Sequence, residues 1–360
     1  MSLLLLLGVV ALLLAGDEPQ ASRAPTLAAT LMLLAAASFF VFSANLLTLA
    51  ACWIVLDVAL GLRAAAEGGE AGGRAWELNS LGTLLLLAAL LFAGPAGAQQ
   101  PLSAGMASLS VLALLLAALL RCGAYPFHVW LMPQQQRSRS GMIILHLMAP
   151  LTGLWLLGRI HSLAGPYGLL QPVWAAVGVL GMLGSGLAAW LAEEEASRVA
   201  WVAIQRLSLA VLAAALAAEK GPAAIAWPLT MVTLGVSSLV VGQAIGQRWG
   251  WRRLLALAVL TLIGLPGTPG FPARFVLARL AGLPLVFSLF WGLALLAEAL
   301  LVAALLPDIF RRSQPTVPPV APGAVARSIA SAVLLAVPLL IWGLQPPLLA
   351  SMMGLPAEGS

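Results

Sequence analysis

The sequence predicts an all-α, polytopic membrane protein, and three observations carry that expectation. Hydrophobic residues make up 61% of the 360 residues and charged ones only 9%, against about 25% charged in soluble globular chains. The mean hydropathy is +1.01, and apolar stretches of spanning length, roughly 20 residues each, recur along the whole chain. The few charges collect mainly between those stretches. No segment is polar and long enough for a separate water-soluble domain, so a single transmembrane domain over residues 1–360 is expected. The small basic excess, 18 Lys plus Arg against 13 Asp plus Glu, is read by loop position and implies no nucleic-acid partner.

Hydropathy and punctuation place about twelve spans. The first, 2–15, is apolar and lacks the basic lead of a cleaved signal peptide. The second, 25–44, ends at Asn45, and the third covers 46–62. A fourth follows over 76–93. The fifth, 109–131, is broken at Pro126, because proline removes a backbone donor and crowds the preceding turn. The sixth covers 142–157, the seventh 173–191, the eighth 199–218 and the ninth 223–245. The tenth starts near Leu254 and is broken through Gly264, Pro266, Gly267, Pro269, Gly270 and Pro272. The eleventh covers 283–306 and the last 329–344. The proline-rich stretch 314–322 reads as an extended linker, and Glu193, Glu194 and Glu195 as a solvated loop. Cys52 and Cys122 fall in apolar helices without metal-ligand spacing and read as small core residues. No cofactor or metal is implied.

Loop charges test this division. Twelve arginines, from Arg23 to Arg327, fall on one side; Arg159, Lys220 and Arg279 fall on the other. Basic loops stay cytoplasmic, so the chain is expected in the plasma (inner) membrane with both termini on the non-cytoplasmic side. Trp76, Trp190, Trp249 and Trp251 fall at span ends, as an interfacial belt requires.

Ionisable residues inside spans are costly in hydrocarbon and therefore candidates for an ion pathway. They are Asp57, Arg121, His146, Arg206, Arg274 and Glu298, with His128 just beyond the first break. Structural ion pairing is the competing reading, for Asp57 with Arg121 and above all for Arg206 and Glu298. A buried helix break frees backbone groups that need partners inside protein or beside water. The breaks fall near Pro126 and between Gly264 and Pro272, one per half of the chain. Discontinuous helices in corresponding positions of two halves point to an ion or substrate site. Spans two to six and seven to eleven then form two five-helix repeats, about 25–160 and 170–306, inverted because each holds an odd number of spans. Helices 2–15 and 329–344 flank them.

Arg121, Pro126, Phe127, His128, Trp130 and Leu131 carry a resemblance. The segment is similar to the K-S-A-Q-x-P-F-H-x-W-L motif on a broken helix of the antiporter-like subunits of respiratory complex I, Mrp-type cation/proton antiporters and membrane-bound hydrogenases. Asn45, Leu46 and Leu47 with Trp53 through Asp57 resemble that family's N-L-L…W-E helix, aspartate replacing glutamate. His146 falls where an L-I-H-A segment places a histidine, and residues 262–274 resemble a G-x-P-x-x-G-F-x-x-K break. The resemblance covers about residues 30–310. Two lysines of the family's pattern are arginines here, Arg121 and Arg274, and the G-P-T-P-V-S loop has no match in 134–141. The chain also reads as about two spans short at its N-terminus and without a long C-terminal lateral helix.

The resemblance implies a membrane subunit of a multisubunit complex, embedded in lipid among other membrane subunits. It takes part in proton or sodium translocation coupled to a redox or uptake reaction, with no catalytic site of its own. A lysine relay shuttles protons by changing charge, whereas arginine does not deprotonate in proteins. Arg121 is then a fixed positive charge beside Asp57, able to steer protons but not carry them, and a protonatable route runs through Asp57, His128 and His146. Two alternatives stand beside this reading: a degenerate, non-conducting scaffold or coupling subunit, and an ion-flux partner in an inorganic-carbon uptake complex.

Overall fold

The structure, a computed structural model, describes residues 2–16, 20–67, 71–102, 106–131, 139–164, 170–216, 222–281, 285–310 and 322–345. The expectations for Arg137, Lys220 and the linker through residue 321 lie outside them. Helices cover each of the predicted apolar stretches, and among the described residues the β-structure consists of one isolated bridge between Asn45 and Pro101. In order the helices are α1 (Ser2–Ala15), α2 (Gln20–Phe42), α3 (Leu46–Glu67), α4 (Ala71–Gln99), α5 (Ser108–Cys122), α6 (Arg139–Ile143), α7 (Ala149–Ala164), α8 (Leu170–Leu191), α9 (Glu195–Leu216), α10 (Pro222–Trp249), α11 (Arg253–Ile263), α12 (Gly270–Ala281), α13 (Leu285–Phe310) and α14 (Pro322–Leu344).

Leucine and alanine dominate these segments, and both are strong helix formers. With every carbonyl and amide satisfied inside the helix, the backbone tolerates hydrocarbon. Nine helical stretches among the described residues, one of them the continuous run Arg139–Ile160 through α6 and α7, are long and apolar enough to cross a membrane. Leu3–Ala15, Ser108–Cys122 and Arg253–Ile263 are apolar but shorter. The last two are short because each is the first part of a broken helix. The chain is a multi-pass membrane protein.

Burial sorts the helices into an inside and a flank. The apolar windows of α9 and α10 are each 94% buried, whereas those of α4, α14 and α13 are 22%, 28% and 33% buried. The first pair forms the centre, and the other three turn apolar faces outward. Asn45 starts α3 by accepting the Thr48 amide on its Oδ1 at 2.8 Å, an N-cap that satisfies an otherwise orphaned donor. At Gly153 on α7, a Cβ would come within 2.7 Å of the Cys122 nitrogen and 2.9 Å of the Ala118 carbonyl oxygen. Only glycine lets α7 lie against the end of α5, and that approach fixes the floor beneath Arg121.

Three sequence expectations change here. The third span does not end before Arg63: α3 continues to Glu67, and Arg63 is a buried helical residue. Its guanidinium donates to Thr26 Oγ1 at 3.3 Å and Ser140 Oγ at 2.7 Å, so hydroxyls from α2 and α6 replace the water of a loop. Arg198 likewise sits in the first turn of α9, buried, with Nη1 2.6 Å from Asp308 Oδ1. Glu195 is the first residue of that helix.

Candidate functional site

The first buried cluster is assembled by α3, α4 and α5. Trp53 and Asp57 lie four residues apart on α3, hence on one face. Arg121 occupies the last turn of α5, and Gly123 ends that helix in the left-handed region (φ 60°, ψ 23°), where L side chains are strained. A Cβ at Gly123 would also meet the Leu131 side chain at 2.2 Å. The chain then passes Pro126 into a 3₁₀ turn, Phe127–Leu131. The Trp130 indole reaches back and donates to the Leu120 carbonyl at 3.0 Å, which also accepts the Gly123 amide at 3.2 Å.

Arg121 is fully buried and donates through Nη1 to Asp57 Oδ1. Thr83 Oγ1 donates to the other carboxylate oxygen, and Trp53 Nε1 donates to Thr83 Oγ1 at 3.1 Å. The guanidinium carbon stands 4.7 Å from the Trp53 ring centroid, a cation–π contact strengthened by desolvation. Arg121 Nε and Nη2 are buried and make no hydrogen bond among the described residues.

The second cluster joins α9, α12 and α13. Arg206, fully buried on α9, holds Glu298 of α13 with both terminal nitrogens, each 2.7 Å from a carboxylate oxygen. Such a two-pronged pair is the strong, directional form of this contact. Arg274 of α12 donates to the same carboxylate, and also to the Leu262 carbonyl at 3.3 Å. Gln205 Nε2 completes the shell at 3.4 Å. Gly264 is left-handed (φ 76°), Pro266 lies in the turn that follows, and Gly270 opens α12. A Cβ at Gly270 would overlap the Thr261 carbonyl oxygen at 1.9 Å, so the two pieces of the helix touch backbone to backbone there.

The histidines are placed differently. His146 is buried within a π-helical turn, Ile144–Met148, its Nδ1 3.0 Å from the Met142 carbonyl. Single π turns recur at functional sites. His128 lies in the 3₁₀ turn between the rings of Tyr125 and Trp201, both at 5.0 Å. It takes no part in the Asp57–Arg121 pair.

Of the residues singled out in the sequence, Asp57 and Arg121 meet, as do Arg274 and Glu298. Arg206 joins them: it meets Glu298 in the ion pair expected of the two and supplies two of the contacts to that carboxylate. Its position mid-span in VAIQRLSLA was the available signal. Thr83 carried none, being one hydroxyl in a leucine-rich helix.

No protein-family model matches the sequence, and neither does any curated protein. Solved structures do match. A chain of respiratory complex I from Thermus thermophilus, solved with bound NADH, superposes with a TM-score of 0.76 at 22% identity, covering 97% of this chain and 80% of its own. A chain of the Mrp complex from Dietzia sp. gives 0.74 at 18% identity, over 92% of this chain and 39% of its own. A chain of an archaeal membrane-bound sulfane sulfur reductase, a respiratory membrane complex, gives 0.74 at 17% identity, over 95% and 63%. The chain has their fold.

Proposed function

We propose that the chain is an antiporter-like membrane subunit of a multisubunit complex and takes part in proton or sodium translocation. The observation that supports this most is a buried charge cluster at each of two helix breaks in an otherwise apolar bundle. Charges so placed cost folding free energy, and they recur where ions cross. The fold shared with chains of complex I, the Mrp complex and the sulfane sulfur reductase supports membrane subunits as partners. In this reading, residues 25–160 and 170–306 are inverted repeats, each contributing one break. Asp57, beside Thr83 and the fixed charge of Arg121, and His146 on its π turn are the groups that exchange protons. Glu298 is held between Arg206 and Arg274 and acts as an electrostatic anchor.

A second reading has its own observation. Every carboxylate in the two clusters is occupied by arginine, which does not give up its proton. That favours a coupling subunit that transmits force or holds neighbours without conducting. Ion flux through the whole complex in proteoliposomes separates the two. Asp57→Asn and His146→Ala should each lower flux severalfold while the complex still assembles. Unchanged flux from both variants, with assembly intact, selects the coupling reading.

A further inference from the structure

The segment Gln247, Arg248, Trp249, Gly250, Trp251, Arg252 and Arg253 plays no part in either cluster, yet its second part lines a cavity. Gly250, with φ +71°, turns the chain from α10 into α11. The cavity, about 710 Å³, opens between this turn, α11 and α14. Its mouth carries Trp249, Trp251, Arg252 and Arg253, and its depth is lined by Leu257, Val333 and Ala336. We infer that it is a binding site for one anionic phospholipid, the headgroup phosphate held at the two arginines and an acyl chain laid between α11 and α14.

Four observations support this occupant. Arg253 is exposed at the mouth, and Arg252 lines the same mouth while its Nη1 is tied to the Asp308 backbone carbonyl of α13 at 2.5 Å. The Asp308 carboxylate, which would otherwise offset that charge, is engaged by Arg198. The same mouth is the N-terminus of α11, which no side chain caps, and a helix start favours phosphate. Trp251 is 63% exposed although large and apolar, which suits the boundary between headgroups and acyl chains.

Depth distinguishes a lipid from a soluble phosphate. Gly343 of α14 packs on Gly267 beyond the far end of α11, so the two helices run side by side away from the arginines. Ala336 lies seven residues past Ile329, about 10 Å farther in at 1.5 Å per residue. The slot therefore enters the apolar span. A free phosphate would leave it empty, whereas an acyl chain fills it. Basic pockets between transmembrane helices bind acidic headgroups on this principle.

The test is lipid retention by the full chain with its native neighbours, purified in mild detergent and passed through nanodiscs of equal phosphatidylglycerol and phosphatidylcholine. Native mass spectrometry should find phosphatidylglycerol retained over phosphatidylcholine, with retention lowered about fivefold in Arg253→Gln, the share of one basic residue near an anionic surface. Ala332→Trp, which fills the slot and leaves the arginines in place, should lower it as well. Glycerol phosphate at millimolar concentration should not displace the lipid. Equal retention of the two lipids, wild-type retention by either variant, or displacement by glycerol phosphate overturns the proposal. So does a crosslink from Ala332→Cys to another polypeptide in intact membranes, which would assign the groove to a protein helix.

Discussion

Around the first break one arginine meets one carboxylate; around the second, two arginines meet one. Asp57 and Arg121 cancel, and Thr83 and Trp53 complete their surroundings with a neutral hydroxyl and a ring. Arg206, Arg274 and Glu298 leave one positive charge over, and the Arg274 side chain keeps 23% of its surface exposed while that of Arg206 keeps none. A buried pair survives desolvation when geometry and further hydrogen bonds compensate it. The first cluster achieves this by neutrality. The second achieves it by a two-pronged grip and partial contact with the surface. Similar breaks in a helix thus support a charge-balanced site in one half and a cationic anchor in the other.

The contrast fixes the order of mutational effects. Glu298→Gln should be the most damaging, because it leaves two guanidiniums facing each other without a counter-charge. A loss of about 5 kcal/mol, the upper end for a broken buried pair, should appear as loss of monodisperse protein or a large fall in the unfolding midpoint in detergent. If Asp57→Asn costs as much, the difference in charge count does not govern stability.

Arg121→Ala comes next, at about 3 kcal/mol, because it strands one carboxylate rather than two cations. Arg121→Lys should be much milder, since the charge and a donor remain. Equal behaviour of these two variants in unfolding and in a growth or transport assay would break the pairing. The smallest effects belong to the neutral neighbours. Thr83→Val should cost about 1 kcal/mol, the net worth of a typical hydrogen bond, and Gln205→Leu less, its contact being 3.4 Å long. A larger effect at Gln205 than at Thr83 would mean that the second cluster depends on its amide more than on its arginines.

Much of the fold was legible because bilayers impose a simple rule: apolar length, then punctuation. Gly123 and Gly264 ended helices where the breaks were expected, since proline and glycine act locally. The charged residues of both clusters were visible for the same reason, as isolated departures in apolar runs. Pairing of Asp57 with Arg121 and of Arg206 with Glu298 stood among the readings, but Arg274 as a second arginine on Glu298 did not. Arg274 and Glu298 are 24 residues apart on different helices, and nothing local states that two arginines will share one carboxylate. The π turn around His146 was equally hidden, because Ile144–Met148 reads as ordinary apolar helix. Arg63 was misplaced because helix ends in a membrane depend on distant hydroxyls, here Thr26 and Ser140.

One consequence follows from how the broken helices are closed. In each, a side chain from beyond the gap returns to a carbonyl before it: Trp130 to Leu120, and Arg274 to Leu262. These contacts act as latches across a joint. To swing α12 away from α11, the chain must first bare the Leu262 carbonyl among apolar neighbours, where water is scarce and replacement donors are few, whereas the Leu120 carbonyl keeps the Gly123 amide as a second donor when Phe127–Leu131 moves. In the second joint the latch is also a ligand of Glu298, so bending there and rearranging charge are a single event. In the first, the latch is an indole separate from the ion pair, and the hinge can open while Arg121 stays seated on Asp57.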